Sequence, residues 1–266
     1  MQSPSLPDGW MSPDLGHGVR TLMSARTAGD SLPPFDEANL GDHVGDAPGH
    51  VGSNRLRFEH LLGARPIWLH QVHGERVVHL SPRMRPQEPI EADGALATEP
   101  GVACVVMVAD CLPILLAAPE GRGVAALHAG WRGLAGAGPG GQAMRGIVHQ
   151  GVRALCEATA TDPADLVAWL GPCIGPERFE VGADVLRGFG VDAAPGCEHP
   201  RFRPIQAQAG AKWLADLAGL ARDRLSGVGV NRIQGGTWCT VSEPLRFFSY
   251  RRDARTGRQA AAICLR

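Results

Sequence analysis

The sequence predicts one α+β domain with mixed β-sheets flanked by helices, and three observations predict it. Short apolar runs of four to eight residues, rich in Val, Leu and Ile and bounded by Gly, Pro or charge, read as buried strands. Two segments carry apolar residues at the 3,4 spacing of amphipathic helices. These elements do not alternate regularly, and a hairpin signal closes the chain, which favours α+β over a doubly wound sheet. With 266 residues and 44% hydrophobic content, a single large core is within reach.

In chain order, residues 1–18 are rich in Pro, Gly and Ser and read as a flexible lead-in, with the domain over 19–266. Residues 19–25 predict an edge strand, followed by Arg26. The stretch 33–52 is too dense in Gly, Pro and Asp for regular structure and reads as a functional loop, its His43 and His50 as solvated side chains. Residues 53–62 predict a short helix capped by Ser53. Residues 66–74 predict a strand running into a turn at Gly74, with Trp68, His70 and Val72 on one side and Leu69, Gln71 and His73 on the other. A strand over 77–80 follows, then a turn over 91–94 in which Asp93 is either a turn residue or a site carboxylate.

Residues 105–136 form the centre of the chain. One apolar run ends on Asp110-Cys111, a second is broken by Pro113, and a third ends on His128, so a thiol and an imidazole stand at strand ends. Residues 133–141 read as flexible, 143–158 as an amphipathic helix and 161–163 as a capped helix start with proline at its first position. Residues 167–171 predict a buried strand ending in the turn that carries Cys173, read as a structural thiol. A second amphipathic helix is predicted over 211–225. Residues 246–265 predict a hairpin with its turn at 253–257.

Charge and cysteine usage narrow the function classes. The 26 basic and 27 acidic residues give a net charge of −1, which argues against nucleic acid polymers and anionic membranes as partners. No basic n-region with an apolar stretch opens the chain, and its longest apolar run is cut by Asp110 and Pro113, short of the ~20 residues a membrane helix needs. Seven scattered cysteines point to reduced thiols in a cytoplasm.

No Gly-x-Gly-x-x-Gly turn or phosphate-loop lysine occurs where a strand meets a helix. His73, Cys111 and His128, at three predicted strand ends, are the remaining chemistry. Two imidazoles and a thiolate match a catalytic zinc site with an open fourth position, although spacings of 38 and 17 residues are no compact zinc signature. A Cys111 nucleophile activated by His128 is an equally economical reading. Arg132, between strand and helix, is placed to present a guanidinium to an anion.

The motifs HQVHG (70–74), EADGALAT (91–98), VADCLPILL (108–116), ALHAGWRGLAGAG (126–138), GPCIGP (171–176) and FFSYRRD with TGRQA (247–260) together resemble the multicopper polyphenol oxidase (laccase-like) family. That family is also called the peptidoglycan editing factor or purine nucleoside phosphorylase family. NLGDHVGDAP (39–48), with Asn54 and Arg55, adds its N-terminal loop. The resemblance covers the chain from about residue 19 onward. Two departures stand out: the usual Ser-Thr-Arg appears as Met23-Ser24-Ala25-Arg26-Thr27, and the aromatic before Glu180 is Phe179 rather than tyrosine.

The resemblance implies a zinc held by His73, Cys111 and His128, phosphorolysis of adenosine, inosine, guanosine and methylthioadenosine, and deamination of adenosine. Zinc activates water for deamination, while phosphorolysis needs phosphate held by arginine and backbone N–H groups. Arg55 and Arg132 are the phosphate candidates; Gln71, which can donate and accept, is a reader of the base, and Asn39 a further substrate contact. Three rivals remain: a non-catalytic metal or nucleoside binder, a cytoplasmic peptidoglycan-precursor hydrolase using Cys111, and a copper-dependent polyphenol oxidase, copper being the alternative metal. The last lacks the paired His-x-His motifs of multicopper enzymes. A monomer or weak homo-oligomer is expected.

Overall fold

The computed structural model describes residues 5–136, 145–194, 199–206 and 211–266. The elements run β1 (Val19–Met23), α1 (Pro48–Leu62), β2 (Arg65–Ile67), β3 (Leu69–His70), β4 (Val77–Leu80), β5 (Ile90–Glu91) and β6 (Gly94–Ala97). Next come β7 (Val102–Val108), β8 (Leu112–Ala117), β9 (Val124–Ala129), α2 (Trp131–Ala135), α3 (Ile147–Thr159) and β10 (Val167–Leu170). The chain closes with β11 (Glu180–Val181), α4 (Ala183–Gly188), β12 (Phe202–Ile205), β13 (Lys212–Ala215), α5 (Leu217–Gly227), β14 (Arg232–Gly235), α6 (Tyr250–Asp253) and β15 (Gln259–Leu265).

Two mixed sheets form the centre of this α+β fold. One has the order β1-β15-β7-β2 and the other β14-β10-β8-β9-β6-β4. Strand alternation explains how both faces are buried. From β7, Val102, Cys104, Val106 and Val108 face Leu115, Val124, Ala126 and Trp169 of the six-stranded sheet, while Ala103, Val105 and Met107 face Phe58 and Leu62 of α1. On its outer face the six-stranded sheet packs Ile114, Leu116 and Leu127 against Val148, Val152 and Leu155 of α3 and Leu220 of α5. The layers therefore run helix, sheet, sheet, helix. β7 belongs to one sheet and β8 to the other, so residues 109–111 cross between them at the sandwich edge.

Several boundaries differ from the sequence expectation. Helix α1 begins five residues before Ser53, with Pro48 at its first turn and no side-chain cap, because proline's fixed φ suits that position. The predicted helix over 211–225 divides: β13 pairs antiparallel with β12 and β11, and Asp216 then caps α5 by accepting from the Gly219 N–H. The expected hairpin over 246–265 is absent. Residues 250–253 form α6, and β15 pairs with β1 and β7, since the buried seven-residue run finds two partners in the core. The segment 161–163 opens a single 3-10 turn, with Asp162 accepting from Ala164. In the segment read as a lead-in, Trp10 is 7% exposed, lies 6.0 Å from Phe58 between ring centroids and donates its indole N–H to the Thr27 carbonyl. β1 is an edge strand, and α3 starts at Ile147; most of the stretch read as flexible after Gly136 lies outside the described residues.

Candidate metal centre

Three turns carry the candidate ligands to one point. His73 follows β3, Cys111 lies on the crossover from β7 to β8, and His128 stands near the end of β9, opposite Pro113. Their ligating atoms all lie within 4.8 Å of one another, a grouping that could hold a metal ion, and His73 Nε2 is 3.7 Å from Cys111 Sγ. The two imidazoles meet edge to face with centroids 4.8 Å apart. His128 is buried, Cys111 half-buried and His73 exposed, so the site opens on the His73 side.

Asp93 explains why these turns meet. Its wholly buried carboxylate accepts the backbone N–H groups of Val72, His73 and Gly74 at 3.1, 2.9 and 2.7 Å, which holds His73 at φ 61°. The same carboxylate lies 2.7 Å from His128 Nδ1, and the Asp93 carbonyl accepts from the His128 N–H. With Nδ1 committed to Asp93, His128 presents Nε2 to the site. The residue left open in the sequence between turn and site therefore serves both. Gly130, just after β9, keeps the centre clear, because a Cβ there would lie 2.7 Å from His73 Cδ2 and 3.1 Å from Cys111 Sγ.

Cys111 is braced from its other side. Asp110, at φ 99°, accepts from the Thr240 hydroxyl and the Arg251 N–H, each at 2.6 Å, while its carbonyl accepts from the Ile174 N–H. Burial pushes the Cys111 thiol up, but the charge and hydrogen bond of His128 and the hydrogen bond of His73 outweigh it, and the net shift is downward. Burial alone would lower His128, yet the Cys111 thiolate and Asp93 raise it. By contrast the Cys104 and Cys173 thiols, without such partners, are pushed up by burial. Cys173 is 2% exposed and pairs as a β-bridge with Cys239, consistent with a structural position.

The donor set fits a zinc ion. Two imidazole nitrogens at ~2.0 Å and a thiolate at ~2.3 Å from a tetrahedral metal would place N and S about 3.6 Å apart, close to the spacing of His73 and Cys111. Above this point lies a cavity of about 530 Å³ with Trp68, Met107, Ile174, Phe179 and Leu217 on its walls. Arg55, Arg251 and Arg258 also line it, together with Asp42, His43 and Tyr250.

The other sequence candidates take different places. Arg55 lines the cavity, with Nη1 3.2 Å from Asp42, Nε donating to the Leu40 carbonyl and Cζ 4.3 Å from the Trp68 ring centroid. Gln71 also borders it, but its amide donates to the Met107 carbonyl and accepts the Met107 N–H, so both functions are engaged with backbone. Asn39 is fully buried behind the wall: Oδ1 accepts from the Gly41 and Arg258 N–H groups, and Nδ2 donates to Gly41 and Asp46. Arg132 is exposed, rests on Trp131 and is not among the cavity-lining residues. Arg26 ties Asp36 to Pro244, away from the cavity. Arg258 and Tyr250 also line the cavity, and nothing local in TGRQA or FFSYRRD says that they face a pocket.

Comparison with known proteins gives one family. The pattern of the family described as multi-copper polyphenol oxidoreductase laccase matches residues 20–266. Purine nucleoside phosphorylase YfiH of Shigella flexneri is 44% identical over 254 residues, covering 94% of this chain and 96% of its own length. Purine nucleoside phosphorylase PA4543 of Pseudomonas aeruginosa is 42% identical over 258 residues, covering 96% and 98%. Among solved structures, Neisseria meningitidis protein NMB0706 aligns with TM-score 0.83 at 38% identity, covering 97% of this chain and 99% of that one. YlmD from Geobacillus stearothermophilus aligns with TM-score 0.81 at 30% identity, covering 94% and 93%. Among the described residues no helix is long and apolar enough to cross a membrane.

Proposed function

The chain belongs to the multi-copper polyphenol oxidoreductase laccase family, and from that premise we propose that it is a zinc-dependent purine nucleoside phosphorylase with adenosine deaminase activity. The observation that carries the reading is the convergence of His73, Cys111 and His128 at the base of an apolar-walled, arginine-bearing cavity. The relatives named as purine nucleoside phosphorylases support the substrate class.

His73, Cys111 and His128 would hold the zinc, which when bound supplies a Lewis acid and an activated water for deamination. The chain's own residues do the rest. Asp93 orients His128 and the His73 turn. The Trp68, Phe179 and Ile174 side chains offer a dry surface for a flat purine. The arginines supply positive charge for phosphate.

A copper-dependent phenol oxidase is less well supported, because the triad is the one group of three or more metal-capable side chains among the described residues, whereas multicopper chemistry needs further centres. A hydrolase acting on peptidoglycan precursors has one observation in its favour: Asp93, His128 and Cys111 stand in the order of an acid-base-nucleophile relay. His73 beside the same sulfur weighs for the metal.

The test is metal analysis of purified protein followed by a product survey with inosine and adenosine, each with and without phosphate. Phosphate-dependent release of hypoxanthine from inosine, together with about one zinc per chain, is the expected result. Turnover of neither nucleoside by zinc-loaded protein sinks the reading.

A further inference from the structure

We propose that Arg258 is the phosphate-holding residue of the cavity, presenting the Nε–Nη2 edge of its guanidinium as a two-pronged anion site. This rests on the phosphorylase reading and names the half of that site which neither Arg132 nor Arg55 serves well. Arg132 is outside the cavity. Arg55 lines it, but its charge is already paired with Asp42, its Nε is bound to Leu40 and its Cζ lies over the Trp68 ring.

Arg258 differs in each respect. Its Nη1 donates to the Thr256 and Gly257 carbonyls at 3.1 and 3.0 Å, which fixes the plane of the guanidinium. Among the described residues Nε and Nη2 have no partner, and no carboxylate lies within ion-pairing distance. Neither atom is sealed from solvent, since the buried unpartnered side-chain atoms belong to His50, His149 and Thr256. The unengaged edge is the one that grips an oxyanion with two parallel N–H groups. A half-buried cation lacking a counter-charge is costly, and a bound dianion offsets that cost. Its position suits the chemistry as well, because Cys111, Asp110 and Tyr250 are the acids near enough to be felt by its charge.

The surrounding chain is built to hold this side chain. The Arg258 N–H donates to Asn39 Oδ1 and its carbonyl accepts from the Leu40 N–H. Gly41 makes room for its stem, as a Cβ there would lie 2.7 Å from Arg258 Cγ. Asn39 therefore acts through Arg258 as a positioning residue rather than touching substrate.

In the reaction, an oxygen of hydrogen phosphate held on Arg258 forms the bond to the ribose anomeric carbon as the bond from that carbon to purine N9 breaks. The electron pair leaves with the purine, which takes up the proton that hydrogen phosphate carried, giving free base and ribose 1-phosphate. Arg258 keeps its charge throughout.

The experiment titrates inorganic phosphate into zinc-loaded wild type and Arg258→Gln by calorimetry without nucleoside, then measures KM for phosphate with inosine. Arg258→Gln is expected to weaken phosphate binding and raise its KM roughly tenfold or more, with Arg258→Lys in between because charge remains and the fork is lost. Zinc content should stay at about one per chain, since Arg258 is not among the candidate ligands. Phosphate binding and KM within about twofold of wild type in Arg258→Gln would overturn the proposal, as would a loss carried by Arg132→Gln or Arg251→Gln instead. Should Arg258→Gln fail to fold, the Lys variant decides alone. If wild type cleaves no inosine, the phosphorylase reading fails, and the calorimetric arm still judges the anion site separately.

Discussion

Asp93 Oδ1 lies 2.7 Å from His128 Nδ1 while the same carboxylate gathers the N–H groups of Val72, His73 and Gly74. One buried side chain thus orients two candidate metal ligands on different elements. Asp93→Asn removes the charge and turns one acceptor into a donor facing N–H groups. Metal affinity should fall about 10–100-fold, and stability by about 2–3 kcal/mol. Competition with a chelator and urea denaturation measure the two effects; an unchanged zinc affinity would mean that the His73 turn stands without the carboxylate.

Cys111 separates the metal reading from the nucleophile reading. Cys111→Ala should abolish stoichiometric zinc and activity together, whereas a hydrolase would lose turnover and keep any metal. In wild type, iodoacetamide should modify the thiol slowly when zinc is bound and quickly after chelation, because a coordinated thiolate is shielded. Rapid alkylation of zinc-replete protein would favour the Asp93-His128-Cys111 relay.

The α+β class and the meeting of Cys111 with His128 were legible because those two residues stand at the ends of apolar runs, and such runs report burial directly; His73 joins them from a two-residue strand and a turn. The Arg258 site was not. Of its two determinants the engaged Nη1 is local, bonded to Thr256 and Gly257, but the Asn39 clamp on its backbone joins positions 219 residues apart, and no local pattern encodes that contact. Likewise β13 was read as the first turn of a helix because Trp213, Leu214 and Leu217 fit helical spacing; its pairing with β12 and the Asp216 cap override that preference. Conversely, composition at residues 1–18 hid a docked tryptophan, since proline and glycine describe the backbone and not what a single aromatic can find.

That tryptophan gives a stability test. Trp10 packs on Phe58, which is itself wholly buried and 5.8 Å from Trp68 on the cavity wall. Trp10→Ala should cost about 3 kcal/mol, the low end for removing a buried large aromatic. Thermal and urea unfolding measure it. A change under about 0.5 kcal/mol would mean that the segment contributes little to the fold.

Gly130 permits a test of the centre that leaves every ligand in place. An alanine Cβ would stand 2.7 Å from His73 Cδ2, closer than carbon atoms tolerate, and the movable party is the exposed imidazole. Gly130→Ala should weaken zinc binding at least about tenfold while costing less stability than a core truncation. Chelator competition against unfolding of the metal-free protein separates the two; wild-type affinity would show that His73 is dispensable for the site.

His43, which lines the same cavity, reports on Arg258. Burial is the largest influence on its imidazole and the Arg258 charge the next, both lowering its pKa below the ordinary 6.5, against an opposing pull from Asp42 at 3.5 Å. The folded protein therefore binds this proton less readily than the unfolded chain. The stability that His43 contributes is present above about pH 6.5 and is lost as pH falls below that unfolded value. Removing the cation in Arg258→Gln should move the His43 midpoint upward, with the burial contribution remaining. Phosphate seated on Arg258 should move it the same way in wild type, so anion binding near pH 6 is accompanied by proton uptake. Titration of the His43 ring by NMR, with and without phosphate, measures both shifts. An upward shift with phosphate in wild type that vanishes in Arg258→Gln ties the anion to this arginine; a shift of equal size in both proteins would put the anion on Arg55 instead.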